Sequence, residues 1–293
     1  MTVLQPPSDR DIDVVCVGNA IVDVLAHTDD AFLEHHEMAK GSMQLIDTDL
    51  AHRLYADMPP GIEISGGSAA NTAAGIAALG GSARFVGRVA DDQLGEVFAH
   101  DIRAAGVHFD DRPTTGAAAA AGTARCLVLV TPDAQRTMNT YLGVSAQIAT
   151  AKALYCEGYL WDEPTAKDAI RHAMDAARDA GTAVAFTLSD AFCVERHREE
   201  FRELVAGRVD ILFANEAEIC ALFEVDDFDA AAAQVSDHVA IACLTRSERG
   251  SVIMTSDGGR VDVPASPATV VDTTGAGDLY AAGFLYGYTQ GKD

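Results

Sequence analysis

The pattern that most constrains this chain is the alternation of short, unbroken apolar runs with amphipathic helical stretches. Candidate strands fall at 13–17, 84–86, 125–130, 153–155, 183–188, 210–213, 239–244 and 251–254. Most are continuous β-branched or aliphatic runs, as strands are when helices cover both faces of a parallel sheet. Between them, residues 164–180 set Ala166, Ala169, Ile170, Ala173, Met174 and Ala177 on one helical face, begin at Pro164 and stop at Gly181. Residues 92–105 do the same with Leu94, Val97, Phe98 and Ile102, stopping at Gly106. The expected architecture is α/β, a central, mostly parallel sheet flanked by helices.

One region breaks the alternation. Residues 112–144 carry a small-residue tract, a strand, and a turn at Pro132-Asp133 that suits a hairpin. With residues from about 19–48, this region is expected to form a small β lid over one edge of the sheet. No linker or charge run separates the two, so a single domain over 13–293 with a discontinuous lid is the expected organisation. A chain of 293 residues, 48% hydrophobic, can fill the core of one large domain.

Charge narrows the possible partners. Forty-four acidic against 21 basic residues leave a formal net charge of −23, which argues against a sequence-independent nucleic-acid or anionic-membrane binder. If such a protein holds a nucleotide, backbone N–H groups, a metal ion or a few placed arginines must grip the phosphates against the overall field. The six cysteines, Cys16, Cys126, Cys156, Cys193, Cys220 and Cys243, show no metal-type spacing, and several lie inside apolar runs. That usage fits buried thiols in a reducing cytoplasm. Residues 1–10 lack the basic-then-apolar order of a signal peptide, and the uncharged stretch 64–83 is too rich in Gly, Ser and Asn to span a membrane.

The strongest chemical signal is Val270-Val271-Asp272-Thr273-Thr274-Gly275-Ala276-Gly277-Asp278. Small residues let the backbone approach a ligand, and a helix starting near Asp278 would aim its unpaired N–H groups at an anion. An aspartate there can serve as general base toward a hydroxyl that attacks a phosphorus in that anion hole. Alternatively, the glycines make a plain turn and Asp278 is an N-cap. A second small-residue loop, Gly66-Gly67-Ser68-Ala69-Ala70-Asn71, enters another helix, with Asn71 able to bind a hydroxyl or the small residues simply serving tight packing. Asn19 and Asp23 follow the first strand, where α/β folds gather ligand groups, and Asp23 suits two adjacent hydroxyls of a polyol unless it is a solvated turn residue.

Taken with Val86-Gly87-Arg88-Val89-Ala90-Asp91-Asp92, Asn215-Glu216-Ala217-Glu218 and Thr245 through Gly250, these motifs, in this order, resemble the ribokinase (PfkB) family of carbohydrate and nucleoside kinases. The resemblance runs from about residue 13 to the end of the chain. It implies a ribokinase-like three-layer sandwich with Asp278 as the base and Gly275, Ala276 and Gly277 as the anion hole. Asn215 and Glu218 would help hold Mg²⁺, through water, and Asn215, Thr245, Ser247, Gly250, Gly275 and Gly277 would meet ATP. Ser247 stands where the family's nucleotide loop has glycine. A monovalent cation near Asp272 is a further implication.

Segments 40–44, 158–160, 187–192 and 213–216 resemble the adenosine-kinase branch. On that basis Asn19, Asp23, Gly66, Gly67 and Asn71 would hold a ribose, Gln44, Leu142 and Leu160 would border a base, and Arg136 would reach the γ-phosphate or remain a solvated loop residue. The alternatives are a PfkB-type sugar kinase for ribose, fructose or a related acceptor, and a non-catalytic nucleoside- or sugar-binding homologue, against which Asp278 and Glu218 argue. A nicotinamide dehydrogenase lacks support, because Val17-Gly18-Asn19-Ala20-Ile21-Val22 has no Gly-x-Gly-x-x-Gly turn. The chain ends fifteen residues after Asp278, where that family continues into further helix, so either a truncation or an unusually open nucleotide pocket is expected. Monomer and homodimer remain equally compatible with the sequence.

Overall fold

In the computed structural model, which describes residues 11–41, 43–46, 48–109, 122–133, 136–141, 151–162, 164–267, 273 and 275–292, the apolar runs assemble into one large sheet. The first half of the chain supplies β1 (Val14–Val17), β2 (Ile21–His27), α1 (Asp30–His35), β3 (Met43–Leu45), α2 (Thr48–Asp57), β4 (Ile62–Gly66) and α3 (Ser68–Ala78). There follow β5 (Ala83–Val86), α4 (Gln93–Ala104), β6 (His108–Phe109), β7 (Ala124–Val130), β8 (Arg136–Tyr141), β9 (Ala153–Glu157) and α5 (Pro164–Asp179). The remainder is β10 (Ala183–Thr187), α6 (Ala191–Gly207), β11 (Ile211–Asn215), α7 (Glu216–Phe223), α8 (Phe228–Ser236), β12 (Ile241–Thr245), β13 (Ser251–Thr255), β14 (Arg260–Val263) and α9 (Ala276–Thr289).

The large sheet has nine strands in the order β14-β13-β12-β11-β10-β9-β1-β5-β6. It is parallel from β12 through β6 and closes with antiparallel β13 and β14. Side chains alternate across it. Val14, Cys16, Phe85, Tyr155 and Phe213 join the core beneath α3, α4 and α9, while Val15, Val17, Leu154, Phe186 and Leu212 join the core beneath α5 to α8. Both faces are thus buried, which is why these strands read as unbroken apolar runs. β1 lies at the topological switch between β5 and β9, so a crevice opens beyond its carboxyl end.

A second sheet has the order β3-β8-β7-β2-β4. Its β7–β8 hairpin turns at Pro132-Asp133, where Val130 pairs with Arg136. This sheet also recruits β4, outside the segments expected from sequence. β4 runs antiparallel to β2 at the sheet's edge, with Ile62 and Ile64 72% and 48% exposed, and it carries no apolar run to betray it. Asp92, the N-cap of α4, ties the second sheet to the first: its carboxylate accepts from Gly95 N–H, Thr123 N–H and Thr123 Oγ1 at 2.8, 2.8 and 2.6 Å. Among the described residues the cysteines are free thiols, all buried except half-buried Cys220, and no helix is long and apolar enough to cross a membrane.

Candidate active site

Connections at the carboxyl ends of β1, β9, β10, β11 and β12 form the rim on which the chemistry-bearing residues collect. α9 begins at Ala276, with Gly275 as its N-cap in the left-handed region (φ 71°), so Asp278 lies in the first helical turn and is not the cap. Its carboxylate is held from α3: Ser68 Oγ donates to Oδ1 at 2.7 Å and Asn71 Nδ2 to Oδ2 at 3.1 Å. Burial holds the Asp278 carboxyl above the usual carboxylate range, and the two donors oppose that rise. An aspartate with a raised proton affinity and two fixed oxygens suits proton abstraction near neutral pH.

The helix start accounts for only part of the expected anion hole. Ala276 N–H already donates to the Thr273 carbonyl at 3.1 Å, because the αL cap at Gly275 folds the chain back into a turn. Gly275 and Gly277 remain as the small residues at the helix mouth.

Asn19, 5% exposed, follows β1, and Asp23 lies on β2 opposite Ile64 and Cys126. The glycine pair at the end of β4, Gly66 within the strand and Gly67 just after it, makes this possible. A Cβ on Gly66 would collide with the Asp23 carboxylate, and one on Gly67, whose φ is 94°, would come within 2.6 Å of the Asn19 carbonyl oxygen. Gln44 lies on β3, the opposite edge of the second sheet from β4. Arg136 is in β8, its side chain outside the described set, and Leu142 and Asp272 lie outside the described residues. Leu160 departs from expectation. It is fully enclosed in the core beneath α5 to α8, beside Trp161, since the 3-10 turn Gly158–Asp162 directs it into the sheet packing and not toward a base.

On the other side of the rim, Asn215 and Thr245 end neighbouring parallel strands in register. Asn215 caps α7 in a reciprocal box: Glu218 N–H donates to Asn215 Oδ1 at 2.9 Å, and Asn215 N–H donates to Glu218 Oε2 at 2.9 Å. Asn215 Nδ2 donates to Glu218 Oε1 at 2.5 Å. Burial, reinforced by Asp190 and Asp278, pushes Glu218 up to about 7. A nearby divalent cation would relieve that cost, and with both Glu218 oxygens engaged, the donor set fits Mg²⁺ held through water. In the 245–250 loop Ser247 adopts φ 51°, the left-handed conformation a glycine would supply, and Gly250 has φ 86°. Arg246 N–H donates to the Gly250 carbonyl at 2.8 Å, closing the loop.

Among the described residues, the ligating side chains close enough to share an ion are Asp162, Cys193 and His197. Asp162 is already neutralised by a two-pronged bond from Arg196, so this group is a structural ion pair between the 3-10 turn and α6.

Two residues at the rim were not foreseen. In sequence Ser68 is only part of a small-residue loop, yet it holds the Asp278 carboxylate. Glu157, at the end of β9, is 1% exposed and accepts three N–H bonds from Asn19 and Ala69. An acidic residue closing a buried apolar strand was the available signal.

The sequence matches the family described as pfkB family carbohydrate kinase over residues 62–293. Among solved structures, the adenosine kinase from Sinorhizobium meliloti is 52% identical, with a TM-score of 0.88, covering 97% of this chain and 89% of that one. A probable sugar kinase from Rhizobium etli CFN 42 is 46% identical with a TM-score of 0.87, covering 100% and 89%. The 5-dehydro-2-deoxygluconokinase of Geobacillus thermodenitrificans is 30% identical over 99% of this chain and 85% of its own length.

Proposed function

Because the chain belongs to the pfkB carbohydrate kinase family, a ribokinase-like α/β kinase, we propose that its acceptor is the primary hydroxyl of a nucleoside, with adenosine the first candidate. The observation that carries this reading is the likeness, over nearly the whole chain, to a bacterial adenosine kinase. The rim geometry is compatible with it.

In this reading Asn19, Asp23 and Gly67 would hold the acceptor's ribose, with Asp23 accepting two neighbouring hydroxyls. Asp278 would take the proton of the attacking hydroxyl, its oxygens kept in orientation by Ser68 and Asn71. Gly275 and Gly277 would bring backbone N–H groups to the transferred phosphoryl group. The phosphates of ATP would run along Asn215, Thr245, Ser247 and Gly250. Mg²⁺, when bound through water at Asn215 and Glu218, supplies positive charge that a chain of net charge −23 lacks. The second sheet would act as the lid, with Gln44 and Leu142 against the base and Arg136 reaching the γ-phosphate, so that the phosphoryl group meets the acceptor and not water.

A sugar acceptor is the second reading, favoured by the Geobacillus and Rhizobium relatives. ADP release with Mg²⁺-ATP, in K⁺ and in Na⁺ buffers, separates the two when adenosine, inosine, guanosine, ribose, fructose and 5-dehydro-2-deoxygluconate are compared. We expect adenosine to give the highest kcat/KM, by about a hundredfold or more over any sugar. A sugar or sugar acid that outperforms adenosine overturns the nucleoside reading.

A further inference from the structure

Glu157 terminates β9 at the centre of the rim, and both of its oxygens are spent on the protein itself. Oε1 accepts from the Asn19 backbone N–H at 2.7 Å and from Asn19 Nδ2 at 3.2 Å, and Oε2 accepts from the Ala69 N–H at 2.8 Å. The fit around it is close. A Cβ on Gly18 would lie 2.7 Å from Oε2 and 2.5 Å from the Ala69 Cβ, so the end of β1 approaches α3 at a distance that glycine permits.

Two consequences follow from the chemistry of that carboxylate. When ionised it can only accept, so the Asn19 amide must turn Nδ2 toward it, leaving Oδ1 as the edge that can accept from a hydroxyl. It also pins Ala69, one residue after Ser68 and two before Asn71, the two donors that hold Asp278. We propose that Glu157 is a positioning residue: it sets the Asn19 amide for acceptor binding and, through the start of α3, sets the orientation of Asp278. The proposal rests on reading Asn19 as an acceptor contact and Asp278 as the base, and it does not depend on whether the acceptor is a nucleoside or a sugar.

Glu157→Gln tests it, because the variant keeps the shape but turns an N–H₂ group toward N–H donors. On whichever acceptor the panel identifies, the acceptor KM should rise about tenfold or more while the ATP KM stays within about twofold. Thermal unfolding checks that the variant is folded. Equal changes in both KM values would overturn the proposal. A crystal structure of the unliganded Glu157→Gln protein reads the same point without any acceptor. The expected result is an Asn19 side chain turned away from residue 157 and lengthened bonds from Ser68 and Asn71 to Asp278, and unchanged contacts would refute the role. Should a sugar prove the acceptor, the nucleoside reading fails while each of these measurements still decides the part played by Glu157.

Discussion

Asp278 has a proton affinity set by opposing local forces: burial raises it, while Ser68 and Asn71 hold it down. Asp278→Asn should therefore cost kcat about 10²–10⁴-fold, with the acceptor dissociation constant changed only a few-fold, as read by steady-state kinetics and calorimetry. Near-normal kcat would remove it as the base. Ser68→Ala gives a finer test. Losing the donor at Oδ1 raises the Asp278 pKa further, so the acidic limb of the kcat–pH profile should move to higher pH; a limb that stays put or moves down contradicts the assignment. Asp278 is legible in sequence as the candidate base because its neighbours, Gly275 and Gly277, announce a backbone that can approach a ligand. Ser68 and Glu157 were not, since their meaning lies in partners 210 and 138 residues away in the chain. Leu160 shows the converse: a motif match located the segment, but the side chain's direction depends on how the 3-10 turn meets the Trp161, Phe186 and Phe201 cluster.

Between elements, the decisive contact is the crossing of α3 over α9, because one helix carries Asp278, the proposed base, and the other its donors Ser68 and Asn71. Gly75 lies at that crossing, where an added Cβ would sit 2.8 Å from the Ala282 Cβ and 3.1 Å from Leu279 Cδ2. Gly75→Val should push the helices apart, costing about 1–3 kcal/mol of stability by overpacking and lowering kcat by lengthening the bonds to Asp278. Denaturant unfolding and kinetics on the same preparation check both, and an unaltered kcat alongside lost stability would show that the base does not depend on this crossing. Elements buried on both faces, such as β1, β9 and β10, were readable from their apolar runs. The exposed edge strands β4 and β14 were not, because pairing to one neighbour with side chains in solvent leaves no hydrophobic signature. α6 was hidden for another reason: it is polar on most of its surface and kinks at His197, which breaks the helical period.

For the molecule as a whole, two fully or nearly buried carboxyls dominate how stability responds to pH. Burial pushes both Glu157 and Glu218 up to about 7, whereas in the unfolded chain they titrate near the ordinary glutamate value of about 4.3. Between those values the folded state binds more protons than the unfolded one, so the stabilising contribution is complete below about pH 4.3 and is lost as pH rises through about 7. Self-repulsion at a net charge of −23 acts in the same direction, but it is a surface effect and is screened by salt, while the two buried groups are not. The ligand-free protein in about 0.5 M salt should therefore show a Tm that falls between about pH 5 and 7 and levels off above that window. Glu157→Gln and Glu218→Gln should each flatten the slope, whatever they do to the absolute Tm, because each removes one of the raised proton-binding sites, while Asp278 and Asp210, also raised by burial, keep part of it. Asp92 and Asp133 shift the opposite way, below the usual carboxylate range, and act only at more acidic pH. A Tm that is flat or rises across the window in high salt would mean that these carboxyls are hydrated in solution, and the network joining Asn19, Glu157 and α3 would then have to be looser than its hydrogen bonds require.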